Sequence, residues 1–244
     1  MRIKLEYLLL LPLTAMIMSA AAGCATMDRS ELFGRSPIAL VSVVSNNEVN
    51  WKGEGPFSPV MITRATRRTM QDNPDLVYNT TADAFIDEIE ESIRTTLEKS
   101  PHITFASKET VLHSRSYSEA KPFNYVKNEI TMPSGYRYIN SRDKNYLAAS
   151  YRENGTSNHL FITLQLEKEM SSGFSKNGSF RIIVQMTVLL KDESGKTLFN
   201  KNYTVYSRDH ANVSGGLYSE FEIRKMLLTS IQDACYYLID DIAY

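Results

Sequence analysis

The sequence predicts an α/β (α+β) fold: a mixed sheet ending in a C-terminal antiparallel meander, with amphipathic helices packed on it. Three observations carry this prediction. Residues 38–44 are a nearly continuous aliphatic run, which suits a strand buried on both faces. Three segments between His159 and Tyr206 alternate apolar and polar residues and are separated by turn signals. Two longer stretches, 82–97 and 219–241, repeat apolar residues at helical spacing.

In chain order, the strand at 38–44 is followed by a polar, turn-rich segment from Asn46 to about Tyr78, with Gly53, Gly55, Pro56, Pro59 and Pro74. Inside it, residues 60–70 read as a strand or a short helix carrying Arg64, Arg67 and Arg68. Asn79, Thr80 and Thr81 then offer N-caps for a helix. In that helix Phe85, Ile89, Ile93 and Leu97 recur every four residues. Asp83, Asp87 and Glu88 lie early in it and Lys99 late, matching the helix dipole, and Pro101 ends it. Glu88, Glu90 and Glu91 fall on its polar side and read as a solvated face. Residues 103–106 predict a strand and 108–112 a short helix. Residues 122–140 are rich in Tyr and Asn and predict an ordered loop or hairpin around Pro133-Ser134-Gly135. A second helix is expected over 143–153, with Asn154-Gly155 as its C-cap.

The last third has the sharpest pattern. Leu160, Ile162, Leu164 and Leu166 share one face of a strand over 159–169. Asn177-Gly178 signals a hairpin turn, and Ile182, Val184, Met186 and Val188 repeat the alternation over 180–190. Asp192-Glu193-Ser194-Gly195 is another turn, and 197–206 a third strand. Gly215-Gly216 closes the meander before the final helix, whose apolar face includes Leu227, Leu228, Ile231, Leu238 and Ile242.

Composition excludes several classes. The chain has 244 residues, 27 Lys+Arg, 28 Asp+Glu and a net charge of −1. That balance leaves no electrostatic footprint for nucleic acid and no polybasic membrane patch. A hydrophobic content of 43% is that of a chain with a real core. His102, His113, His159 and His210 are scattered without metal-ligand spacing, so no metal is expected. No nucleophile elbow, P-loop or dinucleotide fingerprint occurs, so we expect no catalytic residue, no bound cofactor and no enzyme. A hydrolase without a motif would need perturbed carboxylates converging in a pocket. The second cysteine, Cys235, lies in the final helical pattern near Asp233, Asp240 and Asp241, and reads as a buried, inert thiol.

The N-terminus carries the most specific signal. Arg2 and Lys4 precede an apolar run through Leu8-Leu9-Leu10-Leu11 to Met18, and small residues follow from Ser19 to Gly23. The run is about 11 residues, well short of the ~20 that span a bilayer, so it reads as an export signal. Ala21-Ala22-Gly23-Cys24 resembles the lipobox of bacterial lipoproteins. That resemblance implies cleavage between Gly23 and Cys24, with a covalent diacylglycerol and an N-acyl chain placed on Cys24. Two or more acyl chains give stable anchoring where one does not. Removing residues 1–23 takes away Arg2, Lys4 and Glu6, and leaves 25 basic and 27 acidic residues. Ala25 in place of Asp after the cysteine implies, by the enteric sorting rule, the outer membrane facing the periplasm. The division is then a signal at 1–23, a short tether at 24–37 and a single domain at 38–244. Fully extended, the tether reaches at most about 45 Å.

The strand at 38–44, the helix leading to 103–106 and the meander around Asp192-Glu193-Ser194-Gly195-Lys196 resemble the α/β domain shared by the TolB amino-terminal domain and CsgG-type envelope lipoproteins. The resemblance covers most of the chain after the signal and rests on element order and hydrophobic character. It implies accessory roles in periplasmic transport, secretion or assembly, and no catalytic residues. Channel-forming members add spanning strands of about 9–11 alternating residues, which neither 46–78 nor 122–140 shows. Members that activate cell-wall synthases need a long linker, and the segment 25–37 is short. The expected function is therefore an anchored envelope protein binding a protein partner, with homo-oligomers left open. The alternative is a surface-displayed lipoprotein binding an external ligand. Candidate contact residues are Tyr125, Tyr136 and Tyr138 on the aromatic loop and the stripe Arg64, Arg67 and Arg68.

Overall fold

Ile38–Asn46 (β1) is buried along nearly its whole length, as a continuous aliphatic run demands of a strand covered on both faces. In the computed structural model, which describes residues 29–34, 36–53, 64–124, 129–174 and 176–243, β1 lies inside a mixed seven-stranded sheet. The other strands of that sheet are Asn50–Trp51 (β2), Ile130–Thr131 (β4), Asn158–Phe174 (β5), Asn177–Asp192 (β6), Thr197–Tyr206 (β7) and Ala211–Val213 (β8). The main order is β4-β1-β5-β6-β7, with β2 added to β5 and β8 added to β6. β1 runs parallel to β5, and β5, β6 and β7 form the expected antiparallel meander. Leu76–Val77 (β3) and Tyr218–Ser219 (β9) make a separate antiparallel pair. The helices are Arg29–Gly34 (α1), Arg64–Asp72 (α2), Ile86–Leu97 (α3), Lys108–Leu112 (α4), Arg115–Glu119 (α5), Lys144–Asn154 (α6) and Glu220–Ala243 (α7).

The main core lies on one face of the sheet. Leu160, Ile162, Leu164 and Leu166 of β5 and Val184, Met186, Val188 and Leu190 of β6 meet Ile89, Ile93 and Leu97 of α3 and Ile223, Leu227, Ile231 and Leu238 of α7. A smaller core covers part of the other face. There Ala39, Val41 and Phe161 meet Val111, Tyr117, Tyr146 and Leu147 from α4, α5 and α6. Among the described residues, helices thus cover one face of the sheet broadly and the other at one end. α6 is bounded as its sequence requires. The Asp143 carboxylate accepts from the Tyr146 amide, and Gly155 takes the left-handed conformation at the C-cap (φ 69°).

Several expectations are corrected by the structure. The connection between β5 and β6 turns before Asn177, with Lys176 at positive φ, and Asn177-Gly178 already belongs to β6. Gly178 instead pairs across the ladder with Gly173, where a Cβ on Gly173 would stand 2.0 Å from the Asn177 carbonyl oxygen. Close backbone approach, not the turn, requires glycine there. Asn79–Thr81 do not cap α3 directly. A 3₁₀ turn at Ala82–Ala84 intervenes, and α3 starts after Phe85 with no side-chain cap. Residues 103–106 contribute a single parallel bridge, Phe105 to Ile38, in place of a strand. Residues 24–37 are not all tether, because α1 lies inside them and buries Leu32 and Phe33. Finally, Glu90 is not solvated: it is 4% exposed.

Candidate functional site

Gly23 and Cys24, the expected cleavage and lipidation residues, lie outside the described residues. The structure does place the short helix α1 that comes after them in the chain. Phe33 packs edge-on against Phe199 of β7 at 5.6 Å. The Asn158 amide donates to the Leu32 carbonyl at 2.6 Å, and the Arg29 guanidinium donates to the Asp241 carbonyl at 3.2 Å. α1 is therefore fastened at the C-terminal end of α7 and the start of β5. Cys24 precedes Arg29 by five residues, a chain length of at most about 18 Å.

The arginine stripe lies at the other end of the molecule. Arg64 opens α2, and Arg67 and Arg68 are exposed on it. The segment after α2 is bound to the N-terminal end of α7. The Asp75 carboxylate accepts from the Phe221 amide at 3.2 Å, the Asp75 carbonyl accepts from the Glu220 amide at 2.9 Å, and Leu76 pairs with Ser219. Twenty-one residues of α7 separate these contacts from Asp241, about 32 Å at 1.5 Å per residue.

Of the three candidate tyrosines, the two that are described differ in their surroundings. Tyr125 lies outside the described residues. Tyr136 is buried and belongs to a charge cluster that the sequence did not reveal. Its hydroxyl donates to Glu90 at 2.9 Å and accepts from Arg94 at 3.2 Å. Glu90 also pairs with Arg94 at 3.1 Å and with Lys108 at 3.1 Å. Burial, reinforced by Glu90, holds the Tyr136 hydroxyl protonated well above its usual range. The hollow of about 420 Å³ beside this cluster is lined in part by Glu90, Arg94 and Lys108, which are engaged with one another.

Tyr138 is half-buried and remains at a cleft. Residues 122 and 139 bridge the two arms of the aromatic loop, and Phe123 and Tyr138 stack with centroids 4.8 Å apart and planes tilted by 33°. Beneath them is a cleft of about 260 Å³ on the partly covered face of the sheet. Its floor is Phe161, Ile162 and Leu189, and its polar lining is Ser42, Ser141, Thr163, Thr187 and Asn200. The ladder register aligns Phe161, Leu189 and Asn200, then Thr163, Thr187 and Asn202, then Gln165, Gln185 and Thr204 in successive rows across β5, β6 and β7. These rows have hydrophobic-to-polar alternation as their only sequence trace. Their uncovered state depends on where α4, α5 and α6 stop.

Lys168 was also missed by sequence reading. It is 1% exposed, donates to the Tyr218 hydroxyl at 2.7 Å and lies over the rings of Tyr218 and Trp51. Among the described residues no group of His, Cys, Asp and Glu is arranged to hold a metal, and no helix is long and apolar enough to cross a membrane. The carboxylates that shift do so downward, each through its own partner. Asp87 is lowered by the Ser134 amide, Glu153 by the Ser116 amide, and Glu169 by Lys52 and Arg181. Asp241 is lowered by Lys201 and Tyr203 against the upward push of burial. These groups favour the charged state, the opposite of what a general acid needs.

No family model and no curated protein matches the chain. Among solved structures it is similar to the lipoprotein GNA1162 from Neisseria meningitidis, with 11% identity over 81% of this chain and 96% of that one, at a TM-score of 0.31. It is also similar to the LpoB C-terminal domain from Salmonella enterica, with 11% identity over 73% of this chain and 92% of that one, at a TM-score of 0.24. Likenesses of this size carry no residue's role across to this chain.

Proposed function

We propose that this chain is a non-enzymatic bacterial envelope lipoprotein, held on the outer membrane facing the periplasm by acyl chains on Cys24. Its domain binds a protein partner in transport, secretion or envelope assembly. The observation that carries the reading is the docking of α1. It leaves only four residues between Cys24 and Arg29, a fixed point at the C-terminal end of α7. Such a leash suits a domain that works beside its membrane and offers its far end to a partner. Arg67 and Arg68 are exposed at that far end, and we assign them to an anionic protein surface rather than to the anchoring bilayer.

The test is Cys24→Ser. Cys24 precedes the first described helix by five positions, and the variant is expected to fold with unchanged circular dichroism and unfolding midpoint, and to leave the membrane fraction. Sedimentation of the variant with membranes after a salt wash would show that the lipobox reading is wrong. Photo-crosslinking from position 68 in cells is expected to capture an envelope protein. Adducts with neither a partner nor a second copy of the chain would remove the partner reading.

A further inference from the structure

The cleft under Phe123 and Tyr138 differs chemically from the rest of the surface. The chain carries 27 basic and 28 acidic residues, yet among the described residues no Asp, Glu, Lys, Arg or His lines this cleft. Burial also keeps the Tyr138 hydroxyl neutral above its usual range. Ser42 is occupied, donating to the Arg137 carbonyl at 3.3 Å. Among the described residues, Ser141, Thr163, Thr187 and Asn200 have no such side-chain engagement. The uncharged set continues along the sheet through Gln185, Asn202 and Thr204. On the other side of the cleft, Phe123 is 45% exposed and offers a ring already stacked on Tyr138.

Each ligand class places different demands on such a lining. A charged ligand would lose its hydration with no opposite charge to replace it. An apolar ligand would leave the hydroxyls and amides of the lining without partners. An extended peptide joining the sheet would pair with the edge of β7, free among the described residues, beside the cleft rather than within it. A neutral sugar meets every demand: its ring has an apolar C–H face for an aromatic platform, and its rim carries uncharged donors and acceptors. The volume of about 260 Å³ is just below the ~300–1,000 Å³ usual for small-molecule pockets, which suits one ring at a time.

We propose that this cleft binds a neutral oligosaccharide, with one pyranose ring on the Phe123–Tyr138 platform and its hydroxyls bonded to Ser141, Thr163, Thr187 and Asn200. Further sugar units lie along the rows of Gln185, Asn202 and Thr204. The site does not depend on the lipid on Cys24, so its failure and the failure of the anchoring reading are separate results.

The test titrates the full chain, in a detergent without a sugar head group, with chitotetraose, cellotetraose, maltotetraose and the anionic tetragalacturonate. Calorimetry and saturation-transfer NMR read the binding. A neutral tetrasaccharide is expected to bind with a dissociation constant of about 1 mM or tighter. Phe123→Ala is expected to weaken it about tenfold or more, with the unfolding midpoint nearly unchanged because this ring is half exposed. Thr187→Lys, which places a charge in the polar lining, is expected to abolish binding. Preference for chitotetraose would identify an N-acetylated glycan, and preference for a glucan an unsubstituted one; either supports the proposal. Binding of tetragalacturonate as tight as the neutral sugars, no binding of any neutral sugar at about 10 mM, or binding unchanged in both variants would overturn it.

Discussion

At the residue scale, the informative side chains are polar groups that the fold has buried. His159 is wholly inaccessible on β5, with its ring edge-on to Tyr146 at 5.9 Å. Burial pushes its imidazole down from 6.5 to about 4, and Asp192 only partly opposes this. Between those values the unfolded chain binds a proton that the folded chain refuses. His159 therefore costs no stability above about pH 6.5, and stability falls as pH drops toward 4. The full effect is about 3 kcal/mol at most. His159→Phe keeps the ring and removes the proton site. Urea unfolding of both proteins from pH 4 to 7 is expected to give free energies that diverge as pH falls, with the wild type declining more steeply. Parallel curves would show that His159 is not buried in the neutral form. Alternation placed this residue on a strand correctly, but no local pattern marks a strand position as sealed. Glu90 makes the same point from a helix. Between Glu88 and Glu91 it reads as solvated, and its burial comes from Tyr136, supplied 46 residues later in the chain.

At the element scale, legibility depends on the range of the physics involved. β7 occupies the residues that its alternation indicates, 197–206, because strand period and turn chemistry are local. The Asp192 turn is equally local, with that carboxylate accepting from the amides of Ser194 and Lys196. α1 was not legible because six residues are too few to display a helical period. Its docking depends on Phe199, far along the chain. That docking should be separable from the stability of the domain. Phe33→Ala removes the main apolar contact of α1, and cleavage by trypsin after Arg29 is expected to accelerate at least about tenfold through local release. The unfolding midpoint of the sheet should also fall, because Phe33 is 1% exposed and belongs to the main core, but by less than the local release, since α3 and α7 cover the rest of that core. If cleavage and global unfolding shift together, α1 is part of the cooperative unit, and the leash is shorter still in its dynamic behaviour.

At the scale of the whole molecule, α7 fixes the relation between anchor and candidate surfaces. Its C-terminal end holds α1, and its N-terminal end holds the segment following the arginines of α2. With about 32 Å of helix between them and a leash of at most about 18 Å, a molecule standing on its anchor keeps Arg67 and Arg68 away from the bilayer. They can meet head groups of the same membrane only if α7 lies along the surface. Fluorescent probes on Asp240→Cys and on Arg68→Cys separate these arrangements, both residues being exposed. Cys235 does not compete for label, because burial pushes its thiol up to about 12. With the lipidated protein in vesicles containing quencher lipids, the probe at 240 is expected to be quenched several-fold more strongly than the probe at 68. Equal quenching would mean that the domain lies flat. The arginines would then serve as head-group contacts, and the partner surface would have to be the open sheet face beside the Phe123–Tyr138 cleft.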